Sequence, residues 1–191
     1  MSIYKRFNSR LSPEYLLLGF LFEHPSHGYV LYKRLIDEFG YIWHSSQSQS
    51  YNILKRLESH GYVTLSLLEQ EKLPPRQLLK ITETGAERFR SWLDRSTPCS
   101  VHAIRVEFIT RLYFMRLYYP QNIPDMILAQ GDVINLGLSH LRAELTSLPD
   151  SQISNRLALE LRIELLNSVL LWLDRCNQIF GNKGSTVSKD D

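Results

Sequence analysis

Cysteine is scarce in this chain: Cys99 and Cys176 are too few and too far apart for a disulfide framework, and neither sits in a CxxC pair. A reducing cytoplasm is the expected compartment. The opening MSIYKRFNSRLSPE is basic but is followed by no signal-like apolar run, and Tyr15–Phe22 falls far short of the ~20 residues a bilayer span needs. Neither secretion nor membrane insertion is expected. No GxGxxG or GxxxxGK[ST] loop is present, which argues against nucleotide chemistry. His24 and His27 have no cysteine or acidic ligand set at zinc spacing, so no metal is expected. Cys99 lies near His102 without a third group or an oxyanion site, which describes an inert thiol better than a nucleophile. The chain is therefore read as a non-enzyme without a cofactor. Strong charge is missing too, since the formal net charge is +2. Residues 1–95 hold 13 basic and 10 acidic side chains, and residues 96–191 hold 9 and 10. The front half is the one that suits a nucleic acid.

What is present is ample apolar material, 43% of 191 residues, patterned mostly as helix. Ser12-Pro13-Glu14 predicts a helix start, with the helix running from Pro13 to about Phe22. Ser26 is expected to cap a second helix reaching Phe39 and ended by Gly40. The polar stretch His44–Ser48 leads into a third helix that Tyr51, Ile53, Leu54 and Leu57 would dock, and that Gly61 would terminate. Tyr62–Leu68 and Gln77–Thr82 are β-capable. Pro74 and Pro75 between them predict a loop rather than a continued ladder. Thr82 then caps a helix through Leu93. Beyond a junction near 94–100, helices are expected over Val101–Tyr118, Pro124–Leu148 and Ser151–Phe180, with a mobile tail from Gly181. The fold class is mainly α (α+β), an N-terminal winged helix-turn-helix over 1–95 followed by an all-helical dimerisation domain over 96–180 and a tail over 181–191.

The order helix, helix, wing makes the third helix the candidate DNA reader. Ser46, Ser48, Gln49, Ser50, Tyr51 and Asn52 supply small groups and donors at its start, and Lys55 and Arg56 can meet phosphate or base edges. Lys72, Arg76 and Lys80 are the wing candidates. The competing account of these residues is a solvated helix face with capping serines. For Tyr51 the choice lies between a hydroxyl placed on phosphate and a ring wedged between helices.

Residues 13–93 resemble the PadR family of transcriptional regulators. The resemblance is carried by Leu18-Gly19, His27-Gly28-Tyr29, Ser50-Tyr51, Leu57-Glu58 with Gly61, Pro75-Arg76, and Ile81-Thr82-Glu83 with Gly85. It implies a dimeric repressor or activator on an inverted-repeat operator in double-stranded DNA. Three positions depart from the family pattern. Asn52 replaces a common proline after the tyrosine, Lys72-Leu73 replaces a glycine-containing wing tip, and Gln77-Leu78-Leu79 replaces basic and aromatic residues. The second half resembles the long C-terminal virulence-activator branch through Ile104–Phe108 and Leu171–Cys176, which implies helices that cross between subunits.

Long apolar helices need a partner, and a homodimer is the expected one. The interface candidates are Phe108, Leu112, Leu157, Leu161, Leu165, Val169 and Trp172. Trp43, Trp92, Phe108, Tyr113, Phe114, Tyr118, Tyr119 and Trp172 are candidates to line a cavity for a small aromatic or drug-like effector; no effector-binding residue is assigned. The alternative reading is a non-enzymatic protein-interaction module on a winged-helix scaffold, using helices 124–180.

Overall fold

A helical trio, a hairpin and a fourth helix form the first of two units into which the computed structural model divides the chain, between Arg95 and Ser96. The structure describes residues 12–70 and 73–181. The elements are α1 (Glu14–Glu23), α2 (Gly28–Phe39), α3 (Gln47–Ser59), β1 (Val63–Gln70), β2 (Leu73–Ile81) and α4 (Glu83–Leu93). Helix α1 is apolar around most of its circumference. It buries Leu16, Leu17, Leu18, Phe20 and Leu21, and therefore occupies the centre of the unit. Leu31, Leu35 and Phe39 of α2, Ile53, Leu54 and Leu57 of α3, and Phe89, Trp92 and Leu93 of α4 close around it. Tyr15 stacks on Trp92 with ring centroids 4.8 Å apart.

Local chemistry sets several boundaries. Ser46 and Gln49 form a reciprocal capping box at the start of α3: the Gln49 N–H donates to Ser46 Oγ at 3.2 Å, and the Ser46 N–H donates to Gln49 Oε1 at 2.8 Å. Gly61, at φ 74, lets the chain reverse after α3, and the Tyr62 N–H reaches back to the Leu57 carbonyl at 2.9 Å. Thr82 caps α4 by accepting from the Gly85 N–H at 3.1 Å.

Other boundaries differ from the sequence reading. Ser12 and Ser26 cap nothing through their side chains; α1 follows Pro13 and α2 follows His27. Ser26 instead joins the hairpin, exchanging backbone hydrogen bonds with Leu79 at 3.0 and 2.9 Å. Burying Ser26 against a strand satisfies two backbone groups, where a cap would satisfy one. Gly40 follows α2 at φ −59, an ordinary right-handed value. The hairpin also runs further than expected. β1 and β2 pair antiparallel from Val63 with Ile81 out to Gln70 with Leu73. Between the Leu68–Arg76 and Gln70–Leu73 pairs, Pro74 and Pro75 stand opposite the single residue Glu69. A bulge needs no ladder donor from the extra residue, which is how two prolines fit inside a strand.

The second unit is helical throughout its described part. A short α5 (Val101–Ala103) passes through a π-helical stretch, Ile104–Phe108, into α6 (Ile109–Tyr118). The predicted helix over 101–118 is thus present but widened in its middle, and Thr110 Oγ1 there donates to the Val106 carbonyl at 2.7 Å. A 3-10 turn (Pro120–Asn122) leads to α7 (Ile123–Ser147) and then α8 (Ile153–Gly181), a pair packed along each other. Its core holds Phe108, Phe114, Ile134, Leu138, Leu141, Leu166 and Leu173. A buried polar knot ties the unit's first residues to α6 and α7. The Thr97 N–H donates to Gln130 Oε1 at 3.0 Å, Gln130 Nε2 to the Thr97 carbonyl at 3.0 Å, and Arg111 Nη1 to Thr97 Oγ1 at 2.9 Å. No helix among the described residues is long and apolar enough to cross a membrane. The proposed tail beyond Gly181 lies outside the described residues.

Candidate nucleic-acid interface

Helix α3 sorts its side chains by the spacing of its apolar residues. Ile53, Leu54 and Leu57 face the core, which forces Ser48, Asn52, Lys55 and Ser59, at steps of three or four, onto the opposite, exposed face. Tyr51 is 42% exposed although it was expected to help dock the helix. Not every predicted reader reaches this face. Ser50 is fully buried, with its Oγ 3.2 Å from Ser45 Oγ, so its hydroxyl serves the turn before α3. The backbone-facing groups of Ser46 and Gln49 are committed to each other in the capping box.

Two grooves flank the exposed face. One, of about 570 Å³, lies beside the start of α1 and is lined by Glu14, His44, Gln49, Asn52 and Arg56 among others. The other, of about 430 Å³, lies toward the hairpin and is lined by Gly28, Tyr51, Asn52, Lys55, Glu58 and Gln77 among others. Asn52 borders both, so its amide stands on the ridge between them.

Arg56 is not a solitary cation. Its Nη2 lies 3.0 Å from Glu14 Oε2, while the other Glu14 oxygen takes Arg88 Nη2 at 2.6 Å and Arg88 Nε at 3.2 Å. Glu14, at the first turn of α1, is therefore shared between α3 and α4. Burial opposes the Arg88 charge, but the hydrogen bond to Glu14, with the charge interactions of Tyr15, Glu14 and Tyr62, outweighs it and holds its pKa above the ordinary value. In the sequence Glu14 stands only as part of the helix-start signal Ser12-Pro13-Glu14. A carboxylate 42 residues from Arg56 along the chain leaves no local signal of the pairing.

On the hairpin, Lys80 is exposed. Lys72 lies outside the described residues, and of Arg76 only the backbone, paired with Leu68, is described. His27, just before α2, places Nδ1 2.8 Å from the Gln77 carbonyl and so donates to the base of the wing. Gly85 shows why the chain is small at the start of α4: a Cβ there would run into the Tyr62 carbonyl, itself the acceptor of the Thr82 N–H at 3.0 Å.

Residues 17–91 match the model of the Transcriptional regulator PadR-like family. Over that stretch the chain is similar to the family. Over 170 residues it is 25% identical to the Negative transcriptional regulator PadR of Bacillus subtilis, covering 84% of this chain and 93% of the relative. The Bacillus subtilis PadR solved with operator DNA is 23% identical, with a TM-score of 0.44 over 87% of this chain and 98% of that one. The Vibrio cholerae virulence activator AphA is 21% identical, with a TM-score of 0.40 over 90% and 99% of the two chains. The α1–α4 unit has the arrangement of a winged helix-turn-helix, with α3 as its second helix and β1–β2 as its wing.

In the second unit the interface candidates separate into two groups. Phe108 and Leu112 are buried inside the unit itself, Phe108 meeting Trp172 edge-on at 6.0 Å, and Val169 and Trp172 are half-buried. Leu157, Leu161 and Leu165 are exposed, together with Ile153, at steps of four along α8. Ile153 is not among the interface candidates, and its exposure adds it to this ladder. Of the aromatic candidates for a cavity, Trp43 and Trp92 belong to the first unit, whereas Tyr113, Phe114, Tyr118 and Tyr119 form a chain of ring contacts at 5.1 to 6.4 Å in the second.

Proposed function

We propose that the chain is a non-enzymatic, cytoplasmic transcriptional regulator that binds an inverted-repeat operator as a homodimer. The observation that carries the reading is the face of α3, where Ser48, Tyr51, Asn52 and Lys55 are exposed between two grooves on a winged helix-turn-helix of the PadR-like family. A helix of this width enters a major groove, where an amide and a phenol can meet base edges and Lys55 and Arg56 the flanking phosphates. Lys80, with Lys72 and Arg76, steadies the adjoining backbone from the wing.

A twofold dimer presents two such helices to two half-sites, spaced by about one or more turns of the duplex. Support for self-association comes from Ile153, Leu157, Leu161 and Leu165, between 44% and 65% exposed on one side of α8. Such a ladder loses solvent contact when it meets its own copy.

Titration of duplexes from the region upstream of the gene, with scrambled duplex as competitor and salt varied, tests the central claim. Saturable binding that survives the competitor and weakens steeply with salt is the expected result. Equally weak binding to both duplexes would overturn it.

A further inference from the structure

Gly28 is the first residue of α2, and nothing in its backbone calls for glycine. Among the described glycines only Gly61 has a positive φ, and within a helix alanine is ordinarily preferred. The space a side chain would need is taken by Tyr51. A Cβ on Gly28 would lie 3.0 Å from Cε1 of that ring, 3.2 Å from Cζ and 3.4 Å from the hydroxyl oxygen. The ring thus rests on the first turn of α2 while remaining 42% exposed toward the groove it lines with Asn52, Lys55 and Gln77.

The backbone on the other side of this contact has little freedom to retreat. Ser26 is hydrogen-bonded in both directions to Leu79, and His27 donates to the Gln77 carbonyl, so the two residues before Gly28 are fastened to the wing. A crowding Cβ is relieved most cheaply by swinging the tyrosine ring, which turns on two side-chain torsions.

We propose that Gly28 is a positioning residue for operator recognition: by carrying no side chain it seats the Tyr51 ring on α2 and fixes the direction in which the phenol is presented to DNA. The proposal rests on the reading of α3 as the DNA-reading helix. Because Gly28 acts only through Tyr51, its effect must disappear when the ring is removed.

The test is a double-mutant cycle with Gly28→Ala, Tyr51→Ala and the double variant, binding a labelled duplex enriched by the wild-type protein from a random library. Gly28→Ala is expected to weaken binding at least tenfold with an unchanged or raised Tm, and the double variant to bind no more weakly than Tyr51→Ala. Wild-type affinity in Gly28→Ala, a lowered Tm, or losses that simply multiply in the double variant would overturn the proposal while leaving α3 as the reader. Tyr51→Ala binding like wild type would remove the tyrosine's role and the proposal with it. Failure to enrich any duplex would remove the DNA-binding reading itself.

Discussion

Helices α3 and α8 both leave one face uncovered, and the two faces differ in kind. On α3 the apolar residues Ile53, Leu54 and Leu57 are spent inside the unit, and the exposed side carries Ser48, Asn52 and Lys55 with a partly exposed Tyr51. On α8 the core takes Leu166, Leu173 and Cys176, yet a second apolar row, Ile153, Leu157, Leu161 and Leu165, remains in solvent. A polar face with donors flanked by grooves suits a hydrated, charged partner, whereas an aliphatic ladder gains only by leaving water. The same period of about 3.6 residues thus serves two purposes, depending on how many apolar rows a helix has and how many its own unit can cover.

The sharpest way to break this contrast is to charge the ladder. Leu157→Asp combined with Leu161→Asp should shift the protein to monomer in analytical ultracentrifugation and cost operator affinity by mass action. Each leucine contributes about 2 kcal/mol when buried, so dimer dissociation should rise by about three orders of magnitude or more. A double variant that stays dimeric would move the interface away from α8. Next in size is the reading face: Tyr51→Ala or Arg56→Ala should weaken operator binding by about 1–3 kcal/mol with the dimer intact, as measured by fluorescence anisotropy beside sedimentation. Unchanged affinity at physiological salt would remove that residue from the interface.

Gly85→Ala tests the scaffold that presents the face. The new methyl would press on the Tyr62 carbonyl, so a loss of about 1–3 kcal/mol should appear as a lowered Tm of the first unit. A smaller effect is expected at Glu14, which draws Arg56 toward α1. Glu14→Gln should release that arginine, raise affinity for non-specific duplex a few fold, and steepen the plot of log affinity against log salt by about one phosphate contact. An unchanged slope would mean that Arg56 stays off the DNA. The least perturbing experiment concerns the thiols. Burial raises the pKa of both Cys99 and Cys176, with Arg162 partly opposing the shift at Cys99. Thiolate is the reactive form, so alkylation of the native protein should be slow at neutral pH and accelerate only above the usual thiol range. Fast labelling at pH 7 would contradict their burial.

How far the sequence could be read depended on how far apart the interacting groups lie along the chain. The α3 cap joins Ser46 to Gln49, and the α4 cap joins Thr82 to Gly85, so a window of four residues contains the interaction. The apolar spacing that buries Leu54 and Leu57 is equally local. Ser12 and Ser26 had the right residue type for a cap and failed because a strand or a different first turn claimed the position. Pro74 and Pro75 were legible as breakers of a regular ladder. That they would fall opposite Glu69 in a bulge depended on the register of the partner strand.

For the candidate interface the division is similar. From spacing alone, α3 follows a polar stretch over His44–Ser48 and carries Asn52, Lys55 and Arg56 off its apolar stripe, because helical geometry converts spacing directly into direction. Tertiary packing, by contrast, buries Ser50, sets Glu14 against Arg56 and leaves room beside Gly28 for Tyr51. It likewise decided that Phe108 and Leu112 would be spent in the core while Leu157, Leu161 and Leu165 stayed exposed. Periodicity says which side chains share a face; what that face meets is fixed by the packing of segments distant along the chain.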